Sequence, residues 1–186
     1  MIRTPRLRLV PLPAADHLRL ARGLRPRSVA APDDFPGGPD PVPAWLHERH
    51  GIRVSRDPSA ARWLLRAILL ADGTMAGHIG FHDVPHPRVA AFADAGFEGE
   101  LPDLDGPAAE FGYTVFTPHR RRGYATEAAS ALVAWALAEE RLAGVVATTS
   151  LGNEASQRVL AHAGLEVIGR CRSDDGEREL VWWRGA

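Results

Sequence analysis

Polar and apolar side chains alternate early in the chain and give way to helical spacing later. Residues 6–12 alternate with the period of two that marks a half-buried β-strand, and Asp16 stands where it could cap a short helix ending near Leu24. A turn signal at Asp72-Gly73 separates two apolar stretches and predicts a β-hairpin. The other elements predicted in this part are a short helix over 44–50 and hairpin strands over 66–71 and 77–82.

Residues 125–142 carry apolar side chains in steps of three and four, which predicts a long Ala-rich helix that Gly144 would end. The elements around it are strands over 110–116 and 145–149, a helix over 153–163, and a last strand pair over 165–170 and 179–183. The order of all elements is β-α-α-β-β-β-α-β-α-β-β. It predicts an α/β (α+β) fold with helices on the faces of a mixed sheet.

The composition is that of one soluble globular domain, residues 1–186. The chain has 45% hydrophobic and 24% charged residues, a profile typical of a packed core. Its formal net charge of −1 gives no overall positive field for nucleic acid or an anionic membrane, and no apolar run approaches the roughly 20 residues of a spanning helix. Because the single Cys171 can form no internal disulfide, we expect a reduced, cytoplasmic protein.

Acidic residues concentrate in one Pro- and Gly-rich segment, residues 83–109, which we call the acidic segment. A rim of carboxylates would concentrate a cationic amine, whereas a solvated loop would add no specificity. The length of the acidic segment is also compatible with a lid or a homodimer contact. Its charged residues are Asp83, Arg88, Asp94, Glu98, Glu100, Asp103 and Asp105.

The stretch FTPHRRRGYATE, residues 116–127, joins a predicted strand to the start of the Ala-rich helix. The first amides of a helix have no intrahelical partner and lie at the positive end of its dipole, so they can bind an anion. Gly123 and Ala125 would let a phosphate approach the backbone, and the arginines add charge. We therefore expect residues 120–126 to form a diphosphate cradle, although three solvated arginines in an ordinary connection are the alternative. The motif is neither a Walker loop nor a Gly-x-Gly-x-x-Gly turn.

A second polar motif follows the strand predicted over 145–149. Asn153 is a suitable N-cap for the next helix, with Ser156 three residues further on. Capping alone does not account for this pair occurring after the cradle, which suggests that the two motifs belong together.

In combination, these motifs resemble the GNAT superfamily of acyl-coenzyme A-dependent N-acetyltransferases, specifically its branch of ribosomal-protein N-terminal acetyltransferases. The family signature Arg/Gln-x-x-Gly-x-Gly/Ala falls on residues 120–125, RRRGYA. The second motif, Asn-x-x-Ser followed by an apolar turn and Gly-Phe, falls on Asn153 and Ser156 with Gly164 and Leu165 after them. An opening like TPRLRL at 4–9 and the strand EFGY at 110–113 are also similar to that branch, so the resemblance covers nearly the whole chain.

The resemblance implies a mostly antiparallel mixed sheet that is splayed between its fourth and fifth strands, has helices on both faces and takes up acetyl-CoA as co-substrate. The diphosphate would lie on the cradle amides, Val115 and Phe116 would flank the pantetheine arm, Asn153 would bind that arm, and Ser156 would lie near the thiol. The implied cofactor-binding residues are Val115, Phe116, Arg120, Arg121, Arg122, Gly123, Tyr124, Ala125, Thr126, Asn153 and Ser156.

Amide formation needs an uncharged amine, yet free amines are mostly protonated at pH 7, so a base or a water relay must take a proton. Glu110 is the candidate base, since it follows the acidic segment on the strand expected beside the acetyl group, where burial would raise its pKa. A surface carboxylate that anchors a cationic substrate is the alternative role. A backbone N–H on the strand ending at Phe116 is expected to stabilise the oxyanion.

The leaving thiolate needs a proton or a hydrogen bond. Many relatives use a tyrosine seven residues after the motif asparagine, but that position is Leu160 here, so Ser156 is the expected substitute. His78, His82 and His86 are spaced by four, but a strand and a Pro-flanked loop do not bring them together as zinc ligands, so no metal is expected. His82 is a second candidate base.

The predicted function is therefore acetyl transfer from acetyl-CoA to a primary amine by direct attack in a ternary complex. The acceptor would be a protein N-terminus or a small cationic amine, and the enzymatic alternative is an antibiotic or polyamine acetyltransferase. A non-catalytic acyl-CoA-binding sensor is the other alternative, because the usual tyrosine is absent. Binding of nucleic acid by Arg120–Arg122 has weak support in a nearly neutral protein.

Overall fold

A computed structural model describes residues 1–30, 42–86, 96–100, 106–173 and 175–186. These residues form two compact units. The first contains residues 1–84 and 113–128, and the second contains residues 85–112 and 129–186. The assignment of residues 1–186 to a single domain stays a prediction.

The first unit is built on antiparallel strands in the order β1-β2-β3-β4, with the end of β6 next to β4. Its apolar core holds Leu12, Leu20, Ala67, Leu69, Met75 and Phe116. The elements are β1 (Ile2–Arg3), β2 (Arg8–Pro11), α1 (Ala14–Leu20), α2 (Ala44–Arg56), a 3₁₀ helix (Pro58–Arg62), β3 (Arg66–Leu69), β4 (Met75–Phe81) and a second 3₁₀ helix (Thr117–His119).

The second unit continues from β6 in the order β6-β7-β9-β8-β5. Its core packs Val146, Cys171 and Val181 against Ile168 and Trp183. The elements are β5 (Glu98–Gly99), β6 (Ala108–Val115), β7 (Gly144–Ser150), α4 (Glu154–His162), β8 (Glu166–Arg172) and β9 (Arg178–Gly185), while α3 (Tyr124–Ala134) begins in the first unit and ends in the second.

Strands β6 and β7 are parallel, whereas β7, β8 and β9 pair antiparallel. The parallel pairing covers only residues 108–110 against 144–146, although β7 runs on to Ser150. A short parallel contact in a mostly antiparallel sheet is the arrangement that the sequence motifs imply for the fourth and fifth strands of the fold. The predicted fold class is confirmed.

The Ala-rich helix is shorter than predicted. Helix α3 ends at Ala134 and continues as one π-helical segment, Trp135–Glu139, in which Glu140 N donates to Trp135 O at 3.3 Å. Gly144 does not end it: Arg141 takes the positive φ of 55°, and Gly144 begins β7. A Cβ on Gly144 would lie 2.0 Å from Trp183 Cη2, so glycine is required there for packing.

Asp16 has a different role from the predicted cap. The N-cap position of α1 is Pro13, and Asp16 lies inside the first turn. Its buried carboxylate accepts hydrogen bonds from Arg27 N at 2.8 Å and Ser28 N at 2.9 Å, so it holds the segment after the helix. The sequence correctly predicted a helix here. The carboxylate of Asp16 does not cap that helix, because the backbone amides of residues 27 and 28 bind it.

The hairpin predicted at Asp72-Gly73 is confirmed, with β3 and β4 antiparallel and Gly73 at φ 90°. Helix α2 runs to Arg56, beyond the predicted end at residue 50. Parts of the acidic segment, residues 87–95 and 101–105, lie outside the described residues. No helix in the described ranges is long and apolar enough to cross a membrane.

Candidate functional site

The predicted cradle is an irregular turn that leads into the first residues of α3. Arg121 and Gly123 have positive φ angles of 59° and 77°, and Glu127 N donates to Gly123 O at 3.0 Å. Because α3 begins at Tyr124, the amides of residues 124–126 are the first amides of the helix and have no carbonyl one turn earlier to bond. Alternating backbone conformations of this kind point successive amides to one side and favour an anion.

The three cradle arginines are exposed but not equivalent. Arg120 Nε donates to Val115 O at 2.9 Å, which ties its side chain to the end of β6. Arg121 and Arg122 are exposed on the turn. The cradle therefore combines the positive end of the helix dipole with exposed cationic side chains, a combination that favours an anion.

The N-terminal segment bonds directly to the first turn of α3. Thr4 Oγ1 donates to Glu127 Oε1 at 2.5 Å, and the Arg6 amide donates to the same oxygen at 2.9 Å. Arg6 Nε donates to Glu127 Oε2 at 2.6 Å. We call Thr4, Arg6 and Glu127 the clasp. Burial alone would raise the pKa of Glu127, but the hydrogen bonds from Thr4 and Arg6 outweigh it and hold that pKa below its usual value.

Arg6 also contacts the cradle itself. Its Nη1 donates to Arg122 O at 3.0 Å, and its guanidinium lies 5.0 Å from the centroid of the Tyr124 ring. A Cβ on Gly123 would lie 3.2 Å from Arg6 Nη2. The Arg6 side chain thus contacts Arg122 and Tyr124 and occupies the space next to Gly123 where a side chain would begin.

Val115 is the last residue of β6 and Phe116 follows it, and both are buried in the same unit as the cradle. The Phe116 amide donates to Ala76 O at 2.8 Å. An oxyanion donor on this strand must therefore be an amide other than that of Phe116. Strands β4 and β6 approach closely here, because a Cβ on Gly77 would lie 2.1 Å from Thr114 O.

Asn153 and Ser156 lie together at the start of α4, in the second unit. Asn153 is the N-cap, as predicted, and its Oδ1 accepts a hydrogen bond from Ser156 N at 3.1 Å. Asn153 is exposed and Ser156 half-buried. The cap uses the side-chain oxygen of Asn153 and the backbone N–H of Ser156, and it does not use the side-chain nitrogen of Asn153.

Glu110 is half-buried on β6, opposite Val146 in the parallel pairing. Its Oε1 lies 3.5 Å from Thr148 Oγ1, a long contact. Cys171 is buried on β8, and burial followed by the charges of Glu179 and Glu110 raises the pKa of its thiol. A thiol held in its neutral form is not a nucleophile.

A buried histidine cluster in the first unit had no sequence signal. His17 on α1, His47 and His50 on α2, and His78 on β4 have neighbouring ring centroids 5.3 to 5.5 Å apart, and Phe116 lies 5.5 Å from His78. His47 and His50 are three residues apart on α2, but His17 and His78 lie 30 and 31 positions from His47, so no spacing rule could bring all four together. Within the described ranges, no group of three or more His, Cys, Asp or Glu side chains could hold a metal ion.

The structure thus places the predicted site residues in two sets. Val115, Phe116 and the cradle belong to the first unit, whereas Glu110, Asn153 and Ser156 belong to the second. Sequence reasoning missed the clasp. The available signal was an acidic residue, Glu127, in the first turn of the helix, together with the Thr4-Pro5-Arg6 opening.

Comparisons with known proteins agree with these motifs. The Acetyltransferase (GNAT) domain family matches residues 6–166. The uncharacterized N-acetyltransferase YjdG of Bacillus subtilis strain 168 is 32% identical over 118 residues, which cover 63% of this chain and 69% of that protein.

Solved structures show the same fold. An acetyltransferase from Agrobacterium tumefaciens C58 aligns with a TM-score of 0.61 and 26% identity, over 100% of this chain and 94% of that one. The ribosomal L7/L12 alpha-N-protein acetyltransferase RimL, solved in complex with coenzyme A, aligns with a TM-score of 0.60 and 14% identity, over 98% and 95%. The chain therefore belongs to the GNAT family of acetyltransferases and is an acyltransferase.

Proposed function

We propose that this protein transfers an acetyl group from acetyl-CoA to a primary amine, either a protein N-terminus or a small cationic amine. The observation that carries the proposal is the cradle, where positive φ angles at Arg121 and Gly123 precede the free amides at the start of α3. Those amides and the neighbouring arginines fit a diphosphate.

The cofactor-binding residues follow from this fit and from the family motifs. Residues 120–126 would hold the diphosphate through their amides and charges. Val115 and Phe116 would flank the pantetheine arm, and the side-chain amide of Asn153 would bind it. Acetyl-CoA, when bound, supplies an acetyl group activated as a thioester. No step requires a metal ion.

Glu110 is proposed to accept the amine proton. Glu110 would take one proton from the ammonium form of the acceptor. The uncharged nitrogen would then attack the acetyl carbon, so that a C–N bond forms and the C–S bond breaks, and the second proton that the nitrogen loses would go to the departing thiolate. The half-buried position of the Glu110 carboxylate beside Thr148 suits a base that is shielded from bulk water but reachable. The proton can reach Glu110 directly or through a water molecule.

Ser156 is proposed to assist the departure of the thiolate. Its backbone amide forms the cap with Asn153, which fixes the start of α4 and so fixes the position from which the hydroxyl would donate a hydrogen bond to sulfur. Thiols ionise near pH 8.5, so the leaving group is moderately stable, and a serine hydroxyl can suffice where a tyrosine is absent.

The acceptor is proposed to be cationic, with the acidic segment as its rim. Two of the described carboxylates of this segment already form ion pairs within their own units, Asp83 with Arg49 and Glu98 with Arg178. The segment therefore has structural ion pairs as well as any role in substrate attraction. An antibiotic or polyamine acceptor fits the same charge, and a homodimer contact remains an alternative use of the segment.

Release of free coenzyme A thiol from acetyl-CoA tests the proposal, measured with peptides of basic and acidic N-termini, polyamines, aminoglycosides and amino acids. We expect turnover with at least one cationic amine and none with acidic peptides. The Glu110→Gln variant should lose most of this turnover but retain coenzyme A binding. Tight binding of coenzyme A with no thiol release for any amine would identify a sensor and overturn the catalytic proposal.

A further inference from the structure

We propose that the clasp of Thr4, Arg6 and Glu127 positions the cradle for the diphosphate, so that the N-terminal segment is part of the cofactor-binding machinery. This inference rests on the proposed function of the cradle. The clasp residues are positioning residues, because they act through the backbone of the turn and not on the acetyl group.

The geometry shows how the clasp can set the shape of the turn. Glu127 receives hydrogen bonds from the Thr4 hydroxyl, the Arg6 amide and the Arg6 guanidinium, and residues 4 and 127 are thereby joined across more than 120 positions of sequence. The same guanidinium bonds the Arg122 carbonyl. That carbonyl belongs to the peptide unit whose N–H is the amide of Gly123, so fixing the carbonyl also fixes the direction of an amide expected to face the phosphate.

The turn needs such external support. Arg121 adopts a left-handed conformation that is unfavourable for a non-glycine residue, and its side chain is exposed. A conformation of this kind persists when neighbouring groups determine it, and the contacts of Arg6 with Arg122 and Tyr124 do so. Without the clasp, the binding of a diphosphate would have to order the turn and would therefore be weaker.

The clasp also reduces the repulsion between the Glu127 carboxylate and an anion bound at the start of α3. Glu127 stands in the first turn of α3, where its negative charge would repel an anion bound to the same helix end. Its side chain is only 16% exposed, and its carboxylate accepts hydrogen bonds from three donors of residues 4 and 6. Arg6 therefore pairs with the charge of Glu127, and both carboxylate oxygens are occupied by donors of the clasp.

The test is the dissociation constant of coenzyme A, measured by titration calorimetry on the full chain. Thr4→Val removes the hydroxyl donor with little change in shape, and Thr4→Ser restores it. Arg6→Gln and Glu127→Gln, alone and together, form a double-mutant cycle. Arg3→Gln is the matched control, because it removes the same charge from an exposed position of the same segment.

We expect Thr4→Val, Arg6→Gln and Glu127→Gln to bind coenzyme A about tenfold more weakly or worse, whereas Thr4→Ser and Arg3→Gln bind as the wild type does. The double variant should be no weaker than the worse single variant, since both break the same contact. Folded clasp variants with wild-type affinity would overturn this inference while leaving the proposed function intact. If Glu127→Gln fails to fold, the inference is tested by the coenzyme A affinities of Thr4→Val and Thr4→Ser. A wild-type chain that binds no coenzyme A would contradict the proposed function itself.

Discussion

Nδ1 of His17 lies 3.2 Å from Nδ1 of His47, in the buried interior of the first unit. Only one of these two nitrogens can carry the hydrogen of that contact, so protonating both imidazoles would set two donors against each other. His50 and His78 face the same pair, and His50 Nε2 lies 3.0 Å from the His82 carbonyl oxygen. The cluster is therefore built for neutral imidazoles.

This cluster predicts that the folded protein loses stability as the pH falls below about 6.5. Burial and then the neighbouring histidines lower the pKa of His17 to about 2, and burial lowers that of His50 to about 4. An unfolded chain binds these protons near pH 6.5, so the unfolded state gains protons first. The free energy of unfolding should be flat above pH 7 and fall by up to about 1.4 kcal/mol per histidine for each pH unit below 6.5.

Urea unfolding between pH 8 and pH 5 measures this effect. His17→Leu should flatten the slope, because it removes one proton uptake, whereas His162→Gln should leave the slope unchanged since His162 is an exposed residue near the end of α4. The account of the cluster would be wrong if wild type and His17→Leu showed the same pH dependence.

Gly123→Ala should weaken coenzyme A binding about tenfold while costing about 1 kcal/mol of stability. The added Cβ must adopt a φ of 77° and would lie 3.2 Å from Arg6 Nη2, next to the proposed diphosphate. Gly23→Ala is the matched control, with a φ of 68° and no atom within 4 Å of its Cβ. Urea unfolding should show equal stability losses in the two variants, and calorimetric titration should show reduced affinity for coenzyme A in Gly123→Ala alone. Equal affinities would remove Gly123 from the cradle.

Asn153 can be tested for two roles separately. Asn153→Ala loses the N-cap of α4 and should cost about 1 kcal/mol in the free energy of unfolding, whereas Asn153→Ser retains a capping oxygen and should cost little. Both variants lack the side-chain amide, so both should bind coenzyme A more weakly if Asn153 contacts the pantetheine arm. Wild-type affinity in Asn153→Ser would show that the residue is a cap and nothing more.

Glu110→Gln should lower kcat about a hundredfold and alter the pH profile of kcat/KM, measured with an amine found by the thiol-release screen. The reason is that a glutamine side chain cannot take the amine proton. Glu166→Gln, which removes one exposed carboxylate from β8, serves as the control and should leave both quantities unchanged. An unaltered profile in Glu110→Gln would leave the water relay as the route for the proton.

The sequence could predict the elements that are determined by residues close to one another along the chain. The Asn153 cap, the turn at Asp72-Gly73 and the start of the Ala-rich helix depend on neighbouring residues, and all three are confirmed. The family motifs supplied the sheet topology and the expected cofactor, because their order and spacing are specific even where each alone is common.

The features that the sequence could not predict depend on distant partners. Gly144 looked like a helix terminator, but the ring of Trp183 requires a glycine there, and Asp16 looked like a cap, but the backbone at Arg27 takes its carboxylate. The clasp joins Arg6 to Glu127, and the histidine cluster collects side chains from three elements. None of these pairings has a period or a spacing that a single sequence displays.

The central claim is that the start of α3 binds a diphosphate, and a crystal structure of the protein with coenzyme A tests it most directly. We expect both phosphates within hydrogen-bond distance of backbone amides between Arg121 and Thr126, with Arg6 still bonded to Glu127. Coenzyme A bound with its diphosphate on another surface, and no phosphate at these amides, would contradict it.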